Sequence, residues 1–128
     1  GSWATADFIG LTGDASEGIY AAVPYASSMP GERNKAFVAQ YGEAYKQKPG
    51  KYDAAGYNAM NILVEAVARA GKAEPEAIRD ALRKTDYQAP NGHYRFSDKG
   101  EGYGFNVVLV QITGKEPKVV AEAETEKP

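Results

Sequence analysis

The sequence predicts an α/β fold, because one short apolar strand pattern is followed by three helical patterns and then by a cluster of strand patterns. The chain has 128 residues, of which 43% are hydrophobic and 25% charged, so it is long enough for one domain with a buried core. The few strands cannot easily cover the apolar surface of the helices. We therefore expect an incomplete fold that forms part of something larger.

Composition excludes several functional classes. The formal net charge is −2, whereas nucleic-acid-binding proteins usually carry a basic excess, so no nucleic-acid partner is expected. The absence of cysteine excludes thiol catalysis, disulfides and cysteine-based zinc sites. No apolar run approaches the roughly 18 residues that cross a bilayer. No basic-then-apolar leader begins the chain, so we expect any export signal to be absent or already removed.

The first part of the chain contains a strand pattern and a helical pattern. Residues 1–16 have no lasting period and predict a loop that can include a short helix. Gly18–Tyr25 is an apolar run bounded by glycine and proline, as a buried strand would be. Asn34 is the predicted N-cap of the next helix. That helix places three aromatic residues on one face at a spacing of four, namely Phe37, Tyr41 and Tyr45.

Two further helices follow. Residues 52–71 form the strongest helical pattern, and Gly71 is a natural stop. Pro75 suits the first turn of the next helix. The first of these helices has a predicted core stripe, namely Met60, Leu63, Val64 and Val67. In the second, Ile78, Ala81 and Leu82 share a face.

The end of the chain is dominated by strand patterns. Residues 91–102 predict a strand followed by a turn. Residues 105–112 are a near-continuous β-branched run, which is typical of a strand covered on both faces. The segment "TGKEP" predicts a turn into a hairpin partner, "KVVAEA", and the polar tail is expected to fray.

Taken in order, these segments resemble a known family. The relevant stretches are "GDASEGIYAAVPY", "NKAFVAQYGEAYKQKP", "AAGYNAMNILVEAVARAG", "EAIRDALRKTDY" and "PNGHYRFSDKGE". Together they are similar to the C-terminal part of the periplasmic solute-binding proteins of branched-chain amino acid ABC transporters, the leucine/isoleucine/valine-binding type. No single motif is diagnostic, but the ordered set is fairly specific and covers nearly the whole chain.

The resemblance implies a type I periplasmic-binding-protein-like fold, in which two α/β lobes are joined by three crossing strands and clamp a ligand between them. It implies that residues 1–50 and 103–128 belong to the second lobe and residues 51–102 to the first. The chain would then be a C-terminal fragment that contributes to both lobes. We expect the missing N-terminal lobe, or a second copy of the chain, to cover its exposed surfaces.

The resemblance also implies a ligand-binding role for Glu17. In amino-acid-binding members a glutamate of an "EG" motif pairs with the α-ammonium of the ligand, and Glu17 precedes Gly18 here. A carboxylate in a partly dry cleft accepts strong hydrogen bonds from an ammonium. The alternative is that Glu17 is a solvated loop residue or a partner of backbone amides.

Three tyrosines are the remaining ligand-binding candidates. Tyr57 lies in the segment where the family usually has "YDA", but Asn58 replaces the acid here, which puts any role of that acid in doubt. Tyr52 and Tyr25 lie near the implied lobe junctions. An aromatic ring can cover an apolar ligand side chain, although a tyrosine is more often a partly buried core residue.

No catalytic site is predicted. His93 is the only histidine, it has no metal-ligating neighbours in the sequence, and we expect a strand surface position for it. The sequence contains no nucleophile motif, phosphate-binding loop or dinucleotide fingerprint, so neither an enzyme nor a cofactor is expected. The resemblance implies a periplasmic protein that captures a small amino-acid-like solute by hinge closure and delivers it to a membrane ABC permease. A ligand-sensing domain of the same fold, or a binder of aromatic carboxylates or amides, are the alternatives.

Overall fold

The computed structural model describes residues 2–128, so Gly1 lies outside the described residues. The helices are α1 (Ala6–Thr12), α2 (Glu32–Tyr45), α3 (Lys51–Ala70) and α4 (Pro75–Leu82). The strands are β1 (Tyr20–Val23), β2 (Tyr87–Ala89), β3 (Gly92–Phe96), β4 (Gly102–Thr113) and β5 (Glu116–Glu124). The predicted order of elements is confirmed, including the short helix within residues 1–16, and β2 is an addition that the sequence did not predict.

Strand β4 is the centre of the sheet, and its two halves have different neighbours. Its first residues pair antiparallel with β3, where Phe105 lies opposite Gly92. From Asn106 onwards it pairs with β5. Its second half also pairs with β1, where Gln111 lies opposite Tyr20. Because β2 pairs with β3, the strand β4 connects a β2–β3 region with a β1–β5 region.

The buried apolar residues form two clusters. The first core contains Val23, Tyr25, Ala26, Met29, Phe37, Ala54, Val108 and Val110. The second core contains Ile62, Tyr87 and Ala89, with Leu82, Tyr94 and Phe96 packed against it. Helix α3 contributes to both clusters, through Ala54 to the first and Ile62 to the second. It therefore runs through both packed regions.

Helix α3 buries a different face from the predicted one. Its buried residues recur at a spacing of four and are Ala54, Asn58, Ile62 and Ala66. The predicted core stripe is exposed instead, at 62% for Met60, 43% for Leu63, 59% for Val64 and 37% for Val67. The prediction was wrong because periodicity marks an apolar face but does not say which face meets the rest of the chain, and here the neighbouring elements pack on the other face and leave the large apolar face uncovered.

Helix α2 begins three residues earlier than predicted. It starts at Glu32, and Asn34 is a buried residue inside its first turn rather than the N-cap. The Asn34 side chain turns back to the preceding loop, where its Nδ2 donates to the carbonyl oxygens of Ser27 and Met29. The predicted aromatic face is confirmed, since the rings of Phe37, Tyr41 and Tyr45 contact one another in sequence.

Strand β4 is covered mainly on one face. Val108, Val110 and Ile112 are fully buried, whereas Leu109 between them is 39% exposed. The prediction of a strand covered on both faces was therefore wrong for this chain. The predicted hairpin is confirmed, since Gly114 adopts a positive φ of 61° in the turn between β4 and β5.

Candidate functional site

Tyr57 lies where α2 and α3 pack together. Its ring centroid is 4.7 Å from that of Phe37, which belongs to the first core. Burial is the main cause that raises the pKa of Tyr87, in the second core, to about 12, and the neighbouring Tyr57 and Glu65 add to the rise. Tyr57 thus stands between the two cores. It remains 39% exposed, so it combines a packing role with an accessible surface.

Tyr25 is a buried core residue that also lines a cavity, and its contact with a ligand stays a prediction. Its side chain is 3% exposed, and its ring packs edge-on against Phe37 at 5.9 Å. Its hydroxyl donates to Oδ1 of Asn34 over 2.8 Å. Burial, with a smaller contribution from the charge of Asp53, raises the pKa of this hydroxyl far above its ordinary value. The hydroxyl is therefore kept as a donor to the protein itself.

A cavity of about 600 Å³ opens beside Tyr25 and Tyr52, which is a volume within the range of small-molecule sites. Its lining residues lie within residues 4–9, 23–28, 47–53 and 115–118, together with Val38 of α2. Tyr52 is 69% exposed at the start of α3, and Nζ of Lys51 lies 4.8 Å from its ring centroid. The cavity therefore has an aromatic residue at its rim that can still accept a contact.

Charges of both signs surround this cavity. Glu116 accepts from Nζ of Lys118 over 2.7 Å and from Nζ of Lys48 over 2.6 Å. The Lys118 ammonium, followed by that of Lys48, holds the pKa of the Glu116 carboxyl at about 2. Asp7, in the first turn of α1, also lines the cavity. The lining can thus offer both donors and acceptors to a small ligand.

Glu17 lies at the turn between β4 and β5. Both of its carboxylate oxygens accept from the backbone N–H of Gly114 at 3.0 Å, and the side chain is exposed. Neither Glu17 nor Tyr57 belongs to the lining of the large cavity. The contact made by Glu17 is that of the alternative interpretation, a partner of backbone amides. Its role at a ligand ammonium stays a prediction.

The structure therefore brings only two of the four predicted site residues together. Tyr25 and Tyr52 share the cavity, while Tyr57 lies at the helix contact and Glu17 at the hairpin turn. Reasoning from the sequence missed the polar residues that line the cavity, because its lining is assembled from segments that are distant in the sequence. Spacing within any one segment carries no signal of that assembly.

His93 is held in a polar cluster on β3. Nη2 of Arg95 lies 2.9 Å from its Nδ1 and Nε2 of Gln88 lies 3.2 Å from the same atom, while its Nε2 pairs with Asp86. Guanidinium and amide nitrogens can only donate, so Nδ1 accepts and the ring proton sits on Nε2. This arrangement fits the predicted strand position and serves to tie β2 to β3.

Metal sites and membrane-spanning helices are both missing from the described part of the chain. Among residues 2–128, no group of three or more histidine, cysteine, aspartate or glutamate side chains is placed to hold a metal ion. Within the same residues, none of the helices has the length and apolarity required to span a membrane.

Comparison with known proteins adds a family assignment. The family model described as "Periplasmic binding protein" matches residues 2–117. The leucine-, isoleucine-, valine-, threonine- and alanine-binding protein of Pseudomonas aeruginosa is 29% identical over 101 residues, which are 79% of this chain and 27% of that protein. Each of these matches places the chain among solute-binding proteins.

Solved structures show the same fold. A leucine-binding protein from Thermotoga maritima superposes with a TM-score of 0.84 at 25% identity, covering 94% of this chain and 35% of that one. A solute-binding protein of an ABC transporter from Rhodopseudomonas palustris, in complex with 3,4-dihydroxybenzoic acid, gives 0.79 at 25% identity, with coverage of 90% and 33%. The chain spans about a third of the length of these relatives, which confirms the predicted incomplete type I fold.

Family membership supports three predictions made from the sequence. The family is one of binding proteins rather than enzymes, it belongs to ABC transport systems, and it is periplasmic. These properties agree with the absence of a predicted catalytic set. The match covers far more than half of the residues, and this chain belongs to the periplasmic binding protein family.

Proposed function

We propose that this chain is part of the solute-binding component of an ABC importer, which captures a small carboxylate with an apolar body between two lobes. The family match over residues 2–117 is the observation that carries the proposal. Relatives are described as binding leucine or as holding 3,4-dihydroxybenzoic acid, and both ligands join a carboxylate to an apolar group. That shared chemistry defines the ligand class.

Within this class we favour an amino-acid-like ligand, because the large cavity is lined by charges of both signs. A zwitterion needs a donor for its carboxylate and an acceptor for its ammonium. Lys115 and Lys118 are candidate donors. Glu17 is the acceptor that the resemblance implies, and Asp7 is the acceptor that lines the cavity itself.

Tyrosine rings are the candidate contacts for the apolar part of the ligand. Tyr52 at the cavity rim and Tyr57 between the cores both keep exposed ring surface. Tyr25 supports the wall from behind through its contact with Phe37. Aromatic rings accept aliphatic and aromatic groups alike, so this wall suits both leucine and benzoate.

Hinge closure is the proposed mechanism, since a ligand that contacts both lobes favours the closed state. The change of partners along β4 at Phe105 and Asn106 supports a crossing near residue 103. The contact of Phe37 with Tyr57 joins α2 to α3. This contact favours an earlier crossing after β1, near Pro24, over the one expected near residue 50. The loaded protein would deliver its ligand to a membrane ABC permease.

Leucine and benzoate affinities of matched variants test the proposal. The protein to use is one in which this chain is joined to the length of its relatives that it does not span. If Glu17 holds the ammonium, Glu17→Gln lowers leucine affinity by about 10- to 100-fold, the range for a charge-assisted hydrogen bond, and leaves benzoate affinity unchanged. Asp7→Asn is the matched variant, and the same pattern there would assign the ammonium to Asp7.

Binding of an aromatic carboxylate is the second candidate, favoured by the relative that holds 3,4-dihydroxybenzoic acid. In that case benzoate binds more tightly than leucine, and neither carboxylate variant weakens it. Failure of both ligands to bind the folded protein would contradict the proposed ligand class.

A further inference from the structure

Hydrogen bonds of two buried asparagines join four segments of the chain. Nδ2 of Asn58 on α3 donates to Oδ1 of Asn91 over 2.9 Å. Nδ2 of Asn91 donates to the carbonyl oxygen of Pro24 over 2.9 Å and lies 3.2 Å from the hydroxyl of Tyr94. The carbonyl oxygen of Asn91 accepts from the backbone N–H of Asn106 over 2.7 Å. Both asparagine side chains are buried, at 2% exposure.

The direction of these bonds is fixed by the one group that cannot change its role. The carbonyl of Pro24 can only accept, so Asn91 must turn its Nδ2 towards it and its Oδ1 towards α3. Asn58 must then donate, which leaves its own Oδ1 enclosed and without a partner among the described residues. This orientation therefore leaves Oδ1 of Asn58 buried without a hydrogen bond from residues 2–128, which lowers the stability of the fold.

These bonds lie at the boundary between the two cores. Asn58 lies between Ala54, which belongs to the first core, and Ile62, which belongs to the second. Pro24 directly follows β1, and Asn106 is where β4 changes neighbours. The bonds therefore connect the segments that pass between the two packed regions.

The backbone at this point is closely packed. Gly92, next to Asn91, has a φ of +117°, and a Cβ there would lie 2.9 Å from the backbone nitrogen of Asn106 and 3.1 Å from Cα of Phe105. Close contact fixes the turn against β4, while the asparagine side chains fix it against α3 and β1. Directional bonds resist rotation between these segments in a way that apolar contacts do not.

We propose that Asn58 and Asn91 are positioning residues that set the angle between the β1–β5 region and the β2–β3 region. The inference rests on the division into two bodies given under the proposed function, but not on any ligand. The pair acts as a tie at the crossing, and neither residue needs to touch the solute.

The substitution Asn58→Asp tests this tie with almost no change of shape. A carboxylate cannot donate to Oδ1 of Asn91, so the Asn91 amide must turn over to donate to the new carboxylate. Its oxygen then faces the carbonyl of Pro24, and that bond is lost. The substitution at residue 58 thus removes the hydrogen bond between Asn91 and Pro24, while the contact between residues 58 and 91 remains.

The readout is the distance distribution between spin labels in the two regions. The chain contains no cysteine, so labels can be attached cleanly to Leu11→Cys on α1 and Glu76→Cys on α4, both at exposed positions. We expect the distribution to broaden about twofold in the Asn58→Asp variant. Asn61→Ala is the matched control on the same helix, because the bond that the Asn61 amide makes among residues 2–128 is donated to the carbonyl of Tyr57 within α3 itself.

A second control separates positioning from general stability. Val110→Ala weakens the first core at a buried residue of β4 that lies outside the loop after β1 and is bonded to neither Asn58 nor Asn91, so it should leave the distribution unchanged. The proposal is overturned if Asn58→Asp leaves the width unchanged, or if either control broadens it as much.

Should Asn58→Asp fail to fold, the unsubstituted chain decides the question. Side-chain amide protons of Asn58 and Asn91 are then expected to exchange with solvent at least tenfold more slowly than those of Asn61. Equal exchange rates would overturn the tie. A failure of leucine or benzoate to bind would leave both measurements unaffected, so the two proposals can fail separately.

Discussion

The hydroxyl of Tyr25 donates to Oδ1 of Asn34 over 2.8 Å, inside a core where both side chains are almost fully buried. The Nδ2 of the same Asn34 donates to the carbonyls of Ser27 and Met29. With the tyrosine hydroxyl, both the nitrogen and the oxygen of this buried amide have hydrogen-bond partners. This relationship places Tyr25 in the framework behind the cavity and explains why the loop after β1 keeps its path.

Removal of that hydroxyl should destabilise the fold. Tyr25→Phe leaves Oδ1 of Asn34 buried without a donor, and we expect the free energy of unfolding in urea to fall by about 1–3 kcal/mol. Tyr45→Phe is the control, since Tyr45 is 64% exposed and should change stability by less than about 0.5 kcal/mol. Equal effects of the two variants would remove the framework role of Tyr25.

Two glycines with similar backbone angles should tolerate alanine very differently. Gly104 has a φ of +84° and Gly100 of +87°, but a Cβ at Gly104 would run into the carbonyl oxygen of His93, while Gly100 faces open space. We expect Gly100→Ala to cost about 1–2 kcal/mol from backbone strain alone and Gly104→Ala clearly more. Thermal unfolding of both variants would check this, and equal costs would contradict the close approach of β3 and β4.

The ion pairs of Glu116 should contribute a small, pH-dependent stability. The pKa of this carboxyl is lowered from 4.5 to about 2 in the fold, so its contribution is complete above its unfolded pKa. It is lost as the pH falls from about 4.5 through about 2. We expect Glu116→Gln to lower the free energy of unfolding by less than about 1 kcal/mol at neutral pH, because the group is exposed and screened.

The control for Glu116 is Glu101→Gln, an exposed glutamate in the connection between β3 and β4. The difference between Glu116→Gln and the unsubstituted chain should shrink towards pH 2 and in high salt. A difference that is constant with pH would assign the effect to something other than the carboxylate charge.

The uncovered stripe of α3 should drive association of the isolated chain. Met60, Leu63, Val64 and Val67 expose apolar surface on one helix face. Contiguous apolar patches of this kind are usually covered by a partner. We expect light scattering of the chain by itself to give a mass above that of a monomer, and Met60→Lys with Val64→Glu to restore the monomer mass. A monomer without these substitutions would contradict the expected need for cover.

The order of elements could be predicted from the sequence because apolar periodicity, Gly71 and Pro75 are local signals. The choice of the buried face of α3 could not. Periodicity favoured the large stripe through Met60, whereas the helix buries the face of Ala54 and Ala66. When the elements that would cover a large apolar face are not in the chain, hydrophobicity alone selects the wrong side.

The candidate site was predictable in part. Tyr25 and Tyr52 do share a cavity, but the hydroxyl of Tyr25 is bound within the core. Glu17 contacts a turn 97 residues away in the sequence, a contact that no local pattern encodes. The family could be recognised because recognition depends on the order of many segments along the sequence. A site depends on the positions of a few side chains in the folded structure.

The most direct test of solute capture is a calorimetric titration of leucine and benzoate into the protein that joins this chain to the remaining length of its relatives. Glucose, which has no carboxylate, serves as the comparison ligand. We expect saturable, one-to-one heat with at least one of the two carboxylates and none with glucose. Folded protein that gives no heat with either carboxylate would contradict the proposed function.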